Sequence, residues 1–529
     1  MITGITAALA ILLLCEGCGA WVLDKLQIEQ KGYAAPAGAA VLFALLEILY
    51  LPVMVLHLQT SLTRILSAAA VCLTAALFFS RFRKTAHTLI RPDTLYIAAV
   101  LLLYTVLWLK FKPGMEDPDG REAAMILANA KAVTVDLKMF RLQGYKLFEA
   151  FFYWMLGSSM EKTVLSLSLF ATGIASMLSM NIVNSFNLKN PWFRFTLISC
   201  ALFYTEFYGW RITGAYFSEN WRITFIAMML FTAYQWMKTG NEQIKYFLLI
   251  ITGAGLACTN GFLIISIEII YCLAVYLFRI QKIRSLFDVT TFLIPVVVYV
   301  SAWLIELSPA AGILLFILYA VFVVIRYRRQ VYTAIIDAEY FFIDHNRKIF
   351  WVVIPLIFLI GSLIMHFLIP GRAIGYKYYL NYLVSVPVSN MIFLSRNILD
   401  YVLDVFRLAG VIVFIMKAGK IREDRMIRSM MICMTIFFLN PLCMTMLASL
   451  TGTELYACGF EILFNPFTDI LLFVWIYQMC QWTVIGQWVL ELCLVGTALF
   501  GHIASFAGLQ QGLYSDLVHP EPNTSEVAP

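Results

Sequence analysis

Charge is what this chain has least of. Asp, Glu, Lys and Arg together make up 13% of its 529 residues, about half of the roughly 25% carried by soluble domains. A chain this poor in charge cannot cover a water-soluble surface. Histidine is scarcer still, with 6 residues scattered along the length, which argues against His-rich metal chemistry. The 11 cysteines are dispersed and mostly lie inside apolar runs, where the thiol behaves as a small hydrophobe, so neither a disulfide framework nor a zinc site is indicated. Cys15 and Cys18 have CxxC spacing but no second pair. There is no GxxxxGK[ST] loop, dinucleotide fingerprint, nucleophile elbow or HExxH helix, which argues against an ATP-driven pump or a hydrolase of soluble type. The net charge of +6 comes without a basic tail or an aromatic RNA-binding signature, so no nucleic-acid partner is expected.

What is present is apolar length. Hydrophobic residues make up 61% of the chain, and runs near the roughly 20 residues needed to cross a bilayer recur from 2–23 to 484–506. The expected fold is all-α, a polytopic transmembrane helical bundle of about 14–16 spans. It divides into N-terminal spans over 1–110, an outer acidic loop and interfacial helix over 111–162, a main bundle over 163–506 and a disordered tail over 507–529. The first run ends in small residues like a signal peptide but has no preceding Lys or Arg, so it reads as a retained span.

Orientation follows from the basic clusters. Arg81, Arg83, Lys84 and Arg91 form one, Arg279, Lys282 and Arg284 a second, Arg326, Arg328 and Arg329 a third, and Lys417, Lys420, Arg422, Arg425 and Arg428 a fourth. The positive-inside rule puts all four on the inner side and the N-terminus outside. The alternation closes only if 246–278 crosses twice, reversing at Cys258-Thr259-Asn260-Gly261. The outer segments are then 111–162, 211–222, 258–261, 370–400 and 451–459. The inner segment 330–348, with Tyr340, Phe341, Phe342, His345 and Arg347, reads as a helix lying on the inner surface.

Three carboxylates, Glu116, Asp117 and Asp119, fall within four residues directly after the fourth apolar run. Such a group can hold a divalent cation, magnesium or manganese, or act as a general base. The competing reading is a solvated acidic turn in which Asp119 caps the next helix. From 121 to 153 a helical pattern puts Lys131, Lys138, Arg141, Lys146 and Glu149 on one side, as expected of an interfacial helix. The 210–222 segment brackets Tyr216 between Arg211 and Arg222, and 370–400 repeats that composition with Arg372, Lys377 and Tyr378. Arginine and lysine suit phosphate, and tyrosine suits a sugar face or the membrane interface. Within the spans, Glu16, Glu47, Glu206, Glu268, Asp404, Arg407, Asp469 and Glu491 are costly unless paired or facing a cavity. Asn440-Pro441 and Asn465-Pro466 are expected to break two successive spans.

The acidic loop after several spans, followed by an interfacial helix and many further spans, resembles the GT-C membrane glycosyltransferases. It is closer to a related bacterial multi-span family of unknown function, whose basic and aromatic outer stretch is loosely matched by Glu219-Asn220-Trp221-Arg222 and whose late Asn-Pro pair is matched by Asn440-Pro441. The chain departs from that pattern at Pro118, at Arg121-Glu122-Ala123 and at Ala457. The resemblance implies a bacterial plasma-membrane protein that takes sugars from polyprenyl-phosphate carriers drawn from the lipid phase. Asp117, Asp119 or Glu116 would then be base or metal ligands, and Arg211, Arg222 and Arg372 phosphate contacts. Two other readings stay open: a transporter, flippase or polymerase of lipid-linked saccharides, and a non-catalytic subunit working with envelope-assembly proteins.

Overall fold

The computed structural model describes residues 2–28, 33–55, 60–88, 92–111, 144–157, 159–194, 196–198, 218–259, 261–368, 410–419, 421–438, 440, 446, 458–463, 465–480, 486, 488–489 and 491–492. Among the described residues every regular element is helical. In chain order they are α1 (Ile2–Lys25), α2 (Ala34–Val55), α3 (Thr60–Thr88), α4 (Pro92–Phe111), α5 (Gly144–Met155), α6 (Met160–Ser185), α7 (Ser218–Thr239), α8 (Ile244–Cys258), α9 (Gly261–Arg279), α10 (Ser285–Phe292) and α11 (Ile294–Leu307). Next come α12 (Pro309–Ile325), α13 (Arg329–Lys348), α14 (Ile354–Leu368), α15 (Arg422–Cys433), the 3₁₀ helix Cys458–Ile462 and α16 (Pro466–Cys480). Two π-turns, Ile349–Val353 and Met434–Phe438, precede α14 and follow α15.

Five of these helical stretches are long and apolar enough to cross a membrane unaided: Ile2–Lys25, Ala34–Pro52, Met160–Ser185, Gly261–Arg279 and Arg329–Ile364. The pair Ser285–Phe292 and Ile294–Ile305, bent by 42° where Pro295 enters, makes a sixth. Ile65–Phe79, Leu95–Val106, Ile244–Cys258, Pro309–Ile325 and Pro466–Met479 are apolar but shorter. The fold is thus an all-α multi-pass bundle. Several of the expected spans are short or bent helices, and others lie partly or wholly outside the described residues.

Several hydroxyls inside the apolar helices are dealt with locally. The hydroxyls of Thr74, Ser176, Thr252, Ser266 and Thr291 donate to the carbonyls of Ala70, Thr172, Leu248, Phe262 and Phe287, each one turn back, and so need no partner from lipid. Small residues set the tightest helix contact. A Cβ at Gly19 would collide with the Ala34 carbonyl and one at Gly38 with the Cys15 carbonyl, so α1 and α2 touch backbone to backbone, as small residues allow between membrane helices. That contact makes the first apolar run an integral part of the core.

Contacts at the helix ends fix the topology. Lys282 at the end of α9 pairs with Glu242 just before α8, so α8 and α9 run antiparallel and the 246–278 stretch reverses direction as expected. The same end gathers the Lys238 ammonium donating to the Ser185 carbonyl, the Asn241 amide to the Gln27 carbonyl, the Arg326 guanidinium to Thr290, and the Tyr276 hydroxyl to the Arg422 carbonyl. Three of the four basic clusters meet here, and we call it the basic end. At the opposite, far end the start of α1 abuts the start of α6, where a Cβ on Gly4 would lie 3.0 Å from the Lys162 carbonyl oxygen.

Two expectations change. The 330–348 helix is not a separate surface helix, because it continues through the π-turn into α14, so that Arg329–Ile364 is one continuous helix. It is fixed along its length by ring contacts of Tyr332 with Phe287 and of Phe342 and Phe350 with Phe278. Nor does Asn465-Pro466 interrupt a helix, for it starts one. The Asn465 Oδ1 accepts the backbone N–H groups of Phe467 and Thr468 at 3.1 and 3.2 Å, and proline at the first helical position lacks only a donor that would be idle there. Asn440 lies among the described residues, while Pro441 lies outside them.

Candidate functional site

Of the residues expected to carry chemistry, Arg222 alone lies among the described residues. Glu116, Asp117, Asp119, Arg211, Tyr216, Arg372, Lys377 and Tyr378 lie outside them, as do Glu206, Asp404 and Arg407. The helices bordering those stretches nevertheless share an end. Gly17 of α1 meets Phe78 of α3, so α3 runs parallel to α1 and the alternation brings the end of α4, Phe111, to the far end. The start of α7 lies there too. The end of α14 also points there, since Phe350 stacks on Phe278 near the basic end and the helix then runs away from it.

Arg222 sits in the second turn of α7, a helical position and not a loop. Its Nε and Nη2 donate to Glu461 Oε2 and Oε1, both at 2.6 Å, with the two side chains 7% and 12% exposed. This planar two-point pairing is the strongest geometry an arginine offers a carboxylate. It also engages the Nε–Nη2 edge of the guanidinium, one of the edges that could clamp a phosphate. Glu461 is held for this role by the cap of the following helix: the Asn465 amide donates to the carbonyls of Glu461 and Ile462 at 3.1 and 3.0 Å, while its Oδ1 caps α16. The Asn465 backbone N–H and the Thr468 hydroxyl complete the turn at 3.1 Å. One side chain thus closes the 3₁₀ helix and opens the next.

The 3₁₀ helix lies between α7 and α9. On the α9 side its Gly459 faces Glu268, and a Cβ there would come 2.8 Å from Oε2 and 3.2 Å from Oε1. A side chain at 459 would make the Glu268 carboxyl shift, so glycine lets the segment seat directly against it. Glu268 is 2% exposed, and neither oxygen makes a hydrogen bond. Two further carboxylates, Glu47 on α2 and Glu149 on α5, are buried within electrostatic reach of the Cys258 thiol at the end of α8. The burial of Glu149, 1% exposed, corrects the expectation that it lies on the polar face of an interfacial helix. Tyr145 and Phe148 of α5 contact Phe43 of α2, and both rings are buried.

Phe43 is the hub of the wall behind the ion pair. Its ring contacts Trp221 at 4.6 Å, Phe225 at 5.7 Å and Phe170 at 6.4 Å, edge-on or tilted, an arrangement that aromatic quadrupoles favour. Trp221 is 1% exposed, so it is core and offers no stacking face to a sugar. Sequence reasoning missed Glu461. The signal was Asn465-Pro466, which read as a cap would have left Glu461 outside the span and on the same side as Arg222. Among the described residues no group of three or more His, Cys, Asp or Glu is arranged to hold a metal ion.

Fold and site together define a multi-pass helical membrane protein with a buried, predominantly acidic polar layer at its far end. No family model matches the chain, and no similar curated protein or solved structure is found for it.

Proposed function

We propose that this chain is a membrane glycosyltransferase-like protein acting on polyprenyl-phosphate-linked sugars in cell-envelope glycan assembly, resident in a bacterial plasma membrane. The observation that carries the reading is convergence at one end. The Arg222 and Glu461 pair and the buried carboxylates of Glu47, Glu149 and Glu268 lie at the end where the helices bordering 112–143, 201–217 and 369–400 terminate. In this reading Asp117, Asp119 or Glu116 removes the proton of an acceptor hydroxyl or holds a divalent cation against the leaving phosphate. Arg211, Arg372 and Lys377 take the phosphate, and Tyr216 and Tyr378 take the sugar. Arg222 braces the floor of the site, and it offers its Nε–Nη2 edge to a phosphate only if Glu461 yields it.

The test is transfer of a labelled sugar from a polyprenyl-phosphate donor by the full chain in proteoliposomes. Replacing Asp117 and Asp119 together by Asn should abolish transfer while expression and melting stay unchanged. Full transfer by that double variant rejects the assignment. A carrier or flippase of lipid-linked saccharides is the second reading, favoured by one observation: Glu268 is buried in a helix without a partner, and ionisable groups so placed are typical of transport paths. Loss of function on Glu268→Gln, with none on changing the acidic stretch, would select it.

A further inference from the structure

Glu268 stands apart from every other charged group of the far end. Arg222 and Glu461 are committed to each other across the 3₁₀ helix, Glu47 and Glu149 lie around Cys258, and Asp469 is buried on α16. On its own helix the nearby hydroxyl, that of Ser266, donates to the Phe262 carbonyl at 2.6 Å, and the Cys272 thiol one turn on is paired with that of Cys433. From the other elements packed on α9, the charged groups Asp288, Glu339 and Asp424 belong to the basic end, where Lys245, the Ser285 N–H and Trp475 engage them. No cation among the described residues is placed to neutralise Glu268, and Gly459 closes over it.

An ionised carboxylate without hydrogen bonds is the least tolerable group in an apolar interior, whereas the neutral acid is tolerated. We propose that Glu268 is a proton-binding site of the bundle, and that its bound proton lets the 3₁₀ helix Cys458–Ile462 seat between α7 and α9. Loss of the proton to water breaks one O–H bond and leaves a carboxylate that must reach water or a cation. Because Gly459 lies directly against the carboxyl, that movement unseats the segment and frees Glu461 to release Arg222. The site therefore links proton release to opening of the far end, whether the bundle transfers sugars or carries them.

Infrared difference spectra of the full chain in proteoliposomes, wild type against Glu268→Gln, read the site directly. At neutral pH the wild type should show the carbonyl stretch of a protonated carboxylic acid that the variant lacks, fading only on strong alkalinisation. After correction for intrinsic rates, amide exchange in 458–463 should rise over the same alkaline range in the wild type and stay flat in Glu268→Gln. A carboxylate band from Glu268 at neutral pH overturns the proposal, as does exchange that follows pH alike in both proteins. Loss of the acid band on adding sodium, but not N-methylglucamine, assigns the site to a metal cation and overturns it too. Gly459→Ala keeps the acid and should shift its carbonyl frequency, so a spectrum identical to wild type also counts against the seat.

Discussion

The two ends of the bundle bury charge in opposite ways. At the basic end four side chains form a closed ring. Lys245 pairs with Asp288 at 2.9 Å and Glu242 at 3.3 Å, and Lys282 with Glu242 at 2.9 Å and Asp288 at 3.4 Å. Lys282 also lies 3.9 Å over the Trp236 ring, and Asp424 accepts hydrogen bonds from Trp475 and Tyr234. Every charge in the ring has two partners, and the ring ties the α7–α8 turn to the α9–α10 turn. At the far end one pair is complete, and Glu268 has no hydrogen-bond partner. A fully paired network can be explained by folding alone. A buried carboxyl with no partner cannot, since folding would favour an apolar residue in its place.

The comparison can be broken most forcefully at Arg222. Arg222→Ala strips the arginine from a nearly buried carboxylate and should destabilise the protein by about 3–5 kcal/mol, whereas replacing both partners with apolar residues should recover most of the loss. Thermal unfolding in detergent reads both, and a double variant as unstable as the single one would mean that the pair is more than a structural brace. Asn465→Ala removes the cap of α16 and the brace on Glu461 together. It should lower stability by about 1–2 kcal/mol and speed amide exchange at 458–463, which a simple cap loss confined to α16 would leave unmoved.

At the basic end, Asp288→Asn should cost about 1–2 kcal/mol, and the difference from wild type should shrink in high salt because the ring has exposed members. The smallest effect is that of Glu242, whose side chain is 51% exposed. Burial alone would raise its carboxyl, but the Lys282 and Lys245 ammonium groups offset that and hold it below its usual value. Its contribution is therefore present at neutral pH and lost as acid carries the pH down through that lowered value. The acid limb of a melting-temperature profile should flatten slightly in Glu242→Gln.

Much of this architecture was legible in the sequence because apolar length and basic clusters act over whole helices. The reversal at Thr259 and the gathering of three basic clusters at one end followed from counting alone. What was not legible depends on single contacts. Glu149 falls on the charged side of its helix by periodicity, yet α5 is drawn into the bundle by Tyr145 and Phe148 around Phe43. Arg222 was legible as a site residue but not its partner, because Asn465-Pro466 serves equally to end a helix or begin one. Glu268 was legible as costly. That Gly459 closes over it needed the fold.

The central claim is that the paired charges hold the fold and the unpaired carboxyl does not. Melting Glu268→Gln beside Asp288→Asn under one set of conditions tests it. Glu268→Gln should melt at or above the wild-type temperature, having lost no partner, while Asp288→Asn melts below it. A fall for Glu268→Gln as large as that for Asp288→Asn would contradict the account.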